Sequence, residues 1–200
     1  RFSRRGHRLS RGCRCQWAAY IVAEGPAGLY LIDQHAAHER ILYEQFMEAY
    51  ARQETMRQGV LATQVLDLPP IEARLVEEHL DLLNDLGFAL ESFGPNSFRI
   101  NSIPALLADQ DPVEVMQSIL ADLEQARVPG QSDIEARIIT HVCKRAAVKA
   151  GQILSYAEMQ DLIRMLERCQ SPHTCPHGRP TMLHMSGDQL AREFGRLGSH

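Results

Sequence analysis

Residues 31–44, LIDQHAAHERILYE, bring acidic and histidine side chains together within a short stretch. An apolar strand ends at Asp33, and a helical spacing of apolar residues follows it. His35 and Glu39 are four residues apart and share one helix face, whereas Glu44 lies about 140° further around than Glu39. Oxygen and imidazole ligands suit manganese, magnesium or zinc. The stretch is therefore either half of a metal site or a solvated helix face with a His–Glu pair.

A second cluster lies near the end of the sequence, in SPHTCPHGRP, residues 171–180. Cys175 and His177 are two residues apart in a loop stiffened by proline, and such a pair can present sulfur and imidazole to one ion. Cys143, on a predicted helix, could add a third ligand, and cysteine together with histidine favours zinc. A lone CxH pair also occurs by chance on protein surfaces, so neither cluster establishes a metal site by itself.

The charge of the chain is unevenly distributed. The formal net charge is −4, but residues 1–14 hold six arginines and no acid, so the remaining residues carry −10. A body this acidic does not attract DNA by bulk charge, and any contact with nucleic acid requires a local basic patch, a tether or a partner. We expect the arginine-rich residues 1–14 to be a disordered extension.

The composition predicts a soluble, cytoplasmic protein. No apolar run approaches the ~20 residues of a membrane span, and the first residues contain no apolar signal-peptide core. The cysteines are odd in number and irregularly spaced, which argues against a disulfide framework and favours reduced thiols. They are Cys13, Cys15, Cys143, Cys169 and Cys175.

The periodicity of the apolar residues predicts an α+β fold with few strands and intervening helices. The predicted strands are residues 15–24 and 28–33, which form a hairpin, 60–68, a second hairpin of 88–93 and 97–103, and 181–185. The predicted helices are residues 36–52, 71–86, 111–127, 133–150, 155–169 and a short one from 186. Asp111 is a predicted N-cap, and Ser155 with Glu158 and Ser186 with Gln189 have the form of capping boxes. We expect two lobes: a dimerisation lobe built from residues 15–68 and 132–200, and an inserted external lobe of residues 69–131.

Four ordered motifs resemble the C-terminal domain of the MutL family of DNA mismatch repair proteins. DQHAAHERILYE, residues 33–44, resembles the family's DQHAxxExxxxE metal motif. CKRAAVKAG around Cys143 resembles its Ala-Cys-Arg/Lys helix motif, with Val142 in place of the alanine. CPHGRP, residues 175–180, and Phe194-Gly195-Arg196 are similar to its two late motifs. The resemblance covers roughly residues 15–200, and residues 1–14 depart from the family's pattern.

The resemblance implies a latent metal-dependent endonuclease that nicks DNA at a two-metal site. Manganese would support activity, and zinc would be structural or regulatory. Glu44 would support the site structurally. Arg179 and Arg196 would line the site and face phosphate. Carried over residue by residue, the metal ligands are Asp33, His35, Glu39, Cys143, Cys175 and His177, and the catalytic set is Asp33, His35, Glu39, Arg179 and Arg196.

Residues 64–69, QVLDLP, resemble the QxLxxP-type peptide with which MutL proteins dock on the replication sliding clamp. Leu66 and Leu68 would enter an apolar pocket, and Gln64 would fix the register. The alternative is an ordinary strand before a helix. The clamp-binding residues on this hypothesis are Gln64, Leu66, Leu68 and Pro69.

The resemblance also implies the assembly in which the domain works. The expected partners are a second copy in a homodimer, double-stranded DNA bound weakly, the sliding clamp, and a mismatch-recognition protein reached through the full-length protein. The protein would be associated with the nucleoid, with the family's ATPase domain outside this sequence. Trp17 and Tyr20 would pack in the core or at the dimer interface. The alternative function is a non-catalytic dimerisation module with a structural zinc.

Overall fold

The computed structural model describes residues 14–17, 19–125, 131–147 and 153–196. Helices and sheets are mixed along the chain, so the predicted α+β class is confirmed. The chain divides into two compact units, the first made of Arg1–Leu42 and Ala147–His200 and the second of Tyr43–Ala146. The predicted disordered extension lies outside the described residues except for Arg14, and the predicted lobe boundaries stay a prediction.

The elements follow one another as the apolar pattern predicted in most places. The strands are β1 (Arg14–Trp17), β2 (Tyr20–Gly25), β3 (Gly28–Asp33), β4 (Arg57–Asp67), β5 (Ala89–Gly94), β6 (Ser97–Pro104) and β7 (Met182–Ser186). The helices are α1 (Gln34–Ala51), α2 (Pro70–Glu78), α3 (Leu80–Asp85), α4 (Pro112–Gln125), α5 (Gln131–Ala146), α6 (Tyr156–Arg168) and α7 (Gly187–Glu193). Among the described residues, no helix is both long and apolar enough to cross a membrane.

The first unit is built on a four-stranded antiparallel sheet with the order β1-β2-β3-β7. The predicted hairpin is confirmed for β2 and β3, but the single strand predicted over residues 15–24 is wrong, because β1 and β2 are separate strands that pair antiparallel. Strand β7 arrives from the far end of the chain and pairs along the whole of β3, from Ile32 opposite Met182 to Gly28 opposite Ser186. This pairing places the segment before β7 next to the start of α1, which follows β3 directly.

One face of this sheet is buried because alternate strand residues point to the same side. Ile21, Ala23, Tyr30 and Ile32 form a single cluster with residues of α1 and α6. The helical members of the cluster are Ala37, Ile41, Met159, Leu162, Ile163 and Leu166. Each large apolar side chain that is fully buried in this way stabilises the unit by about 1.5–3 kcal/mol. Helix α6 begins with the predicted capping box, formed by Ser155 and Glu158.

The second unit contains an antiparallel sheet of order β4-β6-β5, and its β5–β6 hairpin was predicted. Strand β4 is an outer strand of this sheet. Helix α4 begins after Asp111, whose carboxylate accepts the N–H groups of Val113 and Glu114. The predicted cap at this helix is therefore confirmed.

The prediction of one helix over residues 71–86 is wrong. The helix breaks at His79, whose backbone is at φ −119° and ψ 18°, and α3 starts anew at Leu80. On α2, Ala73 and Val76 point inward, whereas Ile71 is 75% exposed. The buried residues Ala73, Val76 and Leu83 keep a helical spacing across the break, so the apolar pattern carries no signal of it.

We expect Gly28→Ala to destabilise the first unit. Gly28 has φ +138°, and a Cβ there would overlap the carbonyl oxygen of Met185 on β7, so the strands would have to separate. The free energy of unfolding should fall by more than about 1 kcal/mol. Urea denaturation measures the change. Gly187→Ala is the matched control because a Cβ at Gly187 meets no atom within 4 Å. Equal stability of the two variants would contradict the role of Gly28.

Candidate metal centre

The CPHGRP loop is a closed turn. The N–H of Cys175 donates to the carbonyl oxygen of Arg179 at 2.8 Å, and the N–H of Gly178 donates to the carbonyl oxygen of Cys175 at 3.0 Å. Thr174 and Pro180 form an isolated antiparallel bridge at its base. Gly178 has φ +83°, a backbone conformation that glycine adopts without strain. The loop therefore holds its backbone by its own hydrogen bonds, with Cys175 buried beneath it.

Two contacts attach this loop to the start of α1. The N–H of Asp33 donates to the carbonyl oxygen of Thr181 at 2.9 Å, which continues the β3–β7 ladder toward the loop. The guanidinium of Arg40 donates through Nε to the carbonyl oxygen of Thr174 at 2.5 Å. Thr181 is completely buried. Sequence reasoning gave Arg40 and Thr181 no role; their only signal is that Arg40 lies within the first motif and Thr181 directly follows CPHGRP.

Glu39 occupies the centre of the candidate site. Its side chain is 1% exposed, and its carboxylate lies between two imidazoles: His35 Nε2 is 3.0 Å from Oε1, and His177 Nδ1 is 3.3 Å from Oε2. The spacing of four residues predicted the first contact. The second joins residues 138 positions apart in the sequence. The two sequence clusters thus meet at one carboxylate.

Glu39, Cys175 and His177 can offer ligand atoms that all lie within 4.8 Å of one another. Among the described residues, this is the one group of at least three histidine, cysteine or acidic side chains with that property. Carboxylate, thiolate and imidazole are ligands of zinc, and zinc sites with three protein ligands leave a fourth position open. The group therefore has the composition of a site for one divalent metal ion.

The environment of Glu39 also fits a bound cation. Its Oε1 atom is buried, and no described group donates a hydrogen bond to it, although His35 Nε2 lies 3.0 Å away. A buried carboxylate oxygen without a donor is costly. A divalent cation bound to this carboxylate would satisfy the oxygen, so the residues fit the metal that the sequence predicted.

Burial, and to a smaller extent the neighbouring His35, lowers the pKa of His38 below its ordinary value. His38 is therefore a neutral imidazole at neutral pH. A neutral His38 brings no positive charge to this part of α1.

The other predicted ligands are not members of this group of three. Asp33 accepts the N–H of Ala36 through Oδ1 at 2.9 Å and so caps the start of α1, which leaves Oδ2 for another contact. Cys143 is buried on α5, in the second unit. Glu44 lies on α1, more than a turn beyond Glu39. The assignment of Asp33 and Cys143 as ligands stays a prediction.

The two predicted phosphate-binding arginines are both exposed. Arg179 is at the end of the CPHGRP loop, where its backbone carbonyl holds Cys175. Arg196 follows α7, and its backbone N–H donates to the carbonyl oxygen of Ala191. Both guanidinium groups are thus accessible to a ligand in solvent.

The predicted clamp-docking segment is part of the second unit rather than of the metal centre. Leu66 and Leu68 are 1% and 8% exposed, so both point into the core of that unit. Gln64 is partly buried, and Pro69 is exposed. Docking on a clamp stays a prediction, and insertion of the two leucines into a partner requires that they first leave this core.

Cys175→Ser should lower the zinc affinity of the chain by more than about tenfold, since loss of even an outer contact to a ligand costs this much. Metal content after dialysis against zinc, measured by mass spectrometry, tests this. Cys169→Ser is the matched control because Cys169 belongs to the same unit but not to the ligand group. Unchanged zinc in Cys175→Ser would remove Cys175 from the site.

Comparison with known proteins places the chain in a family. The family model described as the MutL C-terminal dimerisation domain matches residues 16–154. The DNA mismatch repair protein MutL of Methanoculleus marisnigri is 41% identical over 181 residues, which cover 90% of this chain and 31% of that protein. The MutL proteins of Desulforamulus reducens and Halothermothrix orenii are 40% and 36% identical, over 88% of this chain and 28% of each relative. The chain thus spans less than a third of the length of each of these relatives. It belongs to the MutL C-terminal dimerisation domain family.

Proposed function

We propose that this chain is a metal-dependent endonuclease domain that nicks DNA during mismatch repair. The observation that carries the proposal is the convergence of Glu39, Cys175 and His177, with His35 beside them, from opposite ends of the sequence. A domain that only dimerised would have no need of a buried carboxylate between two imidazoles. The family membership supports a role in mismatch repair.

Each residue then has a defined task in phosphodiester hydrolysis. Divalent ions, when bound, make a water molecule nucleophilic and offset the charge that develops on the phosphoryl oxygens. Glu39, Cys175 and His177 would hold such an ion, and His35 and His177 both contact the Glu39 carboxylate. The exposed guanidinium groups of Arg179 and Arg196 can hold phosphate with paired hydrogen bonds. We propose that Asp33 and Cys143 complete the ligands, with manganese for activity and zinc for structure.

Nicking of supercoiled plasmid with manganese tests the enzyme. Glu39→Gln should reduce the rate by at least about a hundredfold, which corresponds to roughly 2.7 kcal/mol of transition-state stabilisation. Asp33→Asn should also abolish nicking while the fold persists, because an amide oxygen can still accept the N–H of Ala36. Glu48→Gln is the control on the same helix, since Glu48 is exposed and paired only with Arg52 in the described contacts. Full activity of Glu39→Gln would contradict the proposal.

One observation favours the alternative, a dimerisation module with a structural zinc. The described residues contain one group of three ligands, which is enough for one ion but not for two. The number of metals per chain separates the hypotheses. A single zinc that resists exchange, with no manganese bound and no nicking, would support the structural module.

We further propose that the chain forms a homodimer through the outer face of the first sheet. Leu31 and Leu183 are direct cross-strand partners on this face and are 37% and 58% exposed. Tyr20 and Met185 are 40% and 38% exposed beside them. A continuous apolar face of this kind marks an interaction site, and a second copy would cover it symmetrically.

Leu31→Glu combined with Leu183→Glu should convert the dimer to a monomer, because burying two carboxylates per chain in an apolar interface is unfavourable. Light scattering after size exclusion, over a range of concentrations, measures the mass. Leu61→Glu is the control, since Leu61 is fully exposed in the second unit. A dimer of unchanged affinity in the double variant would exclude this face.

The acidic body of the protein requires help to reach DNA, and we propose that the sliding clamp provides it. Excluding residues 1–14, the chain carries −10, so its own affinity for double-stranded DNA is weak. The segment QVLDLP, residues 64–69, is the proposed docking peptide. A mismatch-recognition protein would act through the full-length protein.

A further inference from the structure

The docking segment is also a structural strand. Residues 64–67 at the end of β4 pair with residues 97–100 of β6, and the N–H of Leu68 donates to the carbonyl oxygen of Asn96 at 3.0 Å. The hydroxyl of Ser97 donates to the Asp67 carboxylate at 2.5 Å. Leu66 and Leu68 are buried, so the side chains that a clamp pocket would receive already have a place in the core.

A large bulge precedes this segment. The pairing of β4 with β6 jumps from Gly59 opposite Ser102 to Gln64 opposite Ile100. Residues 60–63 of β4 therefore face a single residue of β6, Asn101, whereas an ordinary bulge sets two residues against one. Leu61 in the bulge is fully exposed. The bulge holds extra chain next to the docking segment.

Gln64 is incompletely satisfied in the paired state. Its amide Nε2 reaches the Asp111 carboxylate at a long 3.5 Å. Its Oε1 is buried, and no described group donates a hydrogen bond to it. A buried acceptor without a donor costs about 1–3 kcal/mol, and release of the segment would return that oxygen to a donor.

We propose that clamp docking competes with the β4–β6 pairing, so that residues 64–69 must detach from β6 before a clamp can bind them, with the bulge at residues 60–63 supplying the chain length. This inference rests on the proposed clamp contact and adds its regulation. The apparent affinity for the clamp equals the intrinsic affinity multiplied by the released fraction. Conditions that stabilise the second sheet therefore weaken docking.

A disulfide across the pair tests the competition. Asp67 and Ser97 are cross-strand partners, and the Cα separation of such pairs suits a disulfide. Asp67→Cys with Ser97→Cys, once oxidised, locks the segment to β6. Glu91→Cys with Arg99→Cys is the matched control, because it locks β6 to its other neighbour, β5, and leaves β4 able to detach.

Binding of each 200-residue variant to purified sliding clamp is measured oxidised and reduced. The Asp67–Ser97 lock should weaken clamp binding by at least about tenfold relative to the reduced form of the same protein. The Glu91–Arg99 lock should leave it unchanged. Equal binding of the oxidised and reduced Asp67–Ser97 variant would overturn the competition.

A separate variant distinguishes failure of the proposed competition from failure of the proposed clamp contact itself. Gln64→Ala with Pro69→Ala should abolish clamp binding. If the wild type does not bind, or if this variant binds as well as the wild type, the docking proposal fails and the competition with it. If clamp binding requires Gln64 and Pro69 but is equal in the oxidised and reduced forms of the Asp67–Ser97 variant, only the proposed competition is overturned.

The length of the bulge is tested directly. Deletion of Leu61 and Ala62 preserves the strand's two-residue alternation while it removes slack, and it should weaken clamp binding. Leu61→Ser with Ala62→Ser is the matched control, since it changes the side chains and keeps the length. If the deletion variant binds the clamp as well as the wild type, or if the serine variant loses as much clamp binding as the deletion variant, the bulge does not act by supplying chain length.

Discussion

The pairing of β7 with β3 is the interaction on which the first unit and its candidate site both depend. It joins strands that are more than 140 residues apart, and closing so long a loop has an entropic cost that only extensive burial can offset. The inward face of the sheet supplies that burial with α1 and α6. The ladder then continues past the strands through Asp33 and Thr181, which sets the CPHGRP loop against the start of α1. The candidate ligand group therefore comes together only when the core around it has formed.

Glu39 links the stability of this unit to its chemistry. A buried carboxylate is unfavourable unless positive charge and hydrogen bonds surround it. The protein gives it two imidazoles and leaves one oxygen without a hydrogen-bond donor among the described residues. A cation at this position would compensate the charge, order the loop and bind all three ligand types at once. The same contacts would serve a catalytic or a structural metal, which is why metal stoichiometry and activity must be measured together.

Strand β4 would serve two purposes if residues 64–69 dock on a clamp as proposed. The apolar residues that the proposed docking would use are also residues that fill the core of the second unit. A segment that was always exposed would bind its partner more tightly, but it would leave leucines in solvent and an unpaired strand beside them. Placing it in an outer strand beside a large bulge keeps the unit folded and makes release local. On the proposed competition, the stability of one small sheet would set the affinity for the clamp.

The sequence alone determined the elements with strong local signals: the two hairpins with their turn residues, the helix caps at Asp111, Ser155 and Ser186, and the four ordered motifs that indicate the family. It did not determine the break at His79, because the apolar residues of the two short helices have the periodicity of one continuous helix. It named Glu39, Cys175 and His177 as ligands but could not make Glu39 the centre, since that depends on a strand pairing between distant segments. Nor could it show that Leu66 and Leu68 are buried. Adjacent residues determine the turns, caps and motifs, whereas the packing of the whole unit decides which distant residues meet and which side chains are buried.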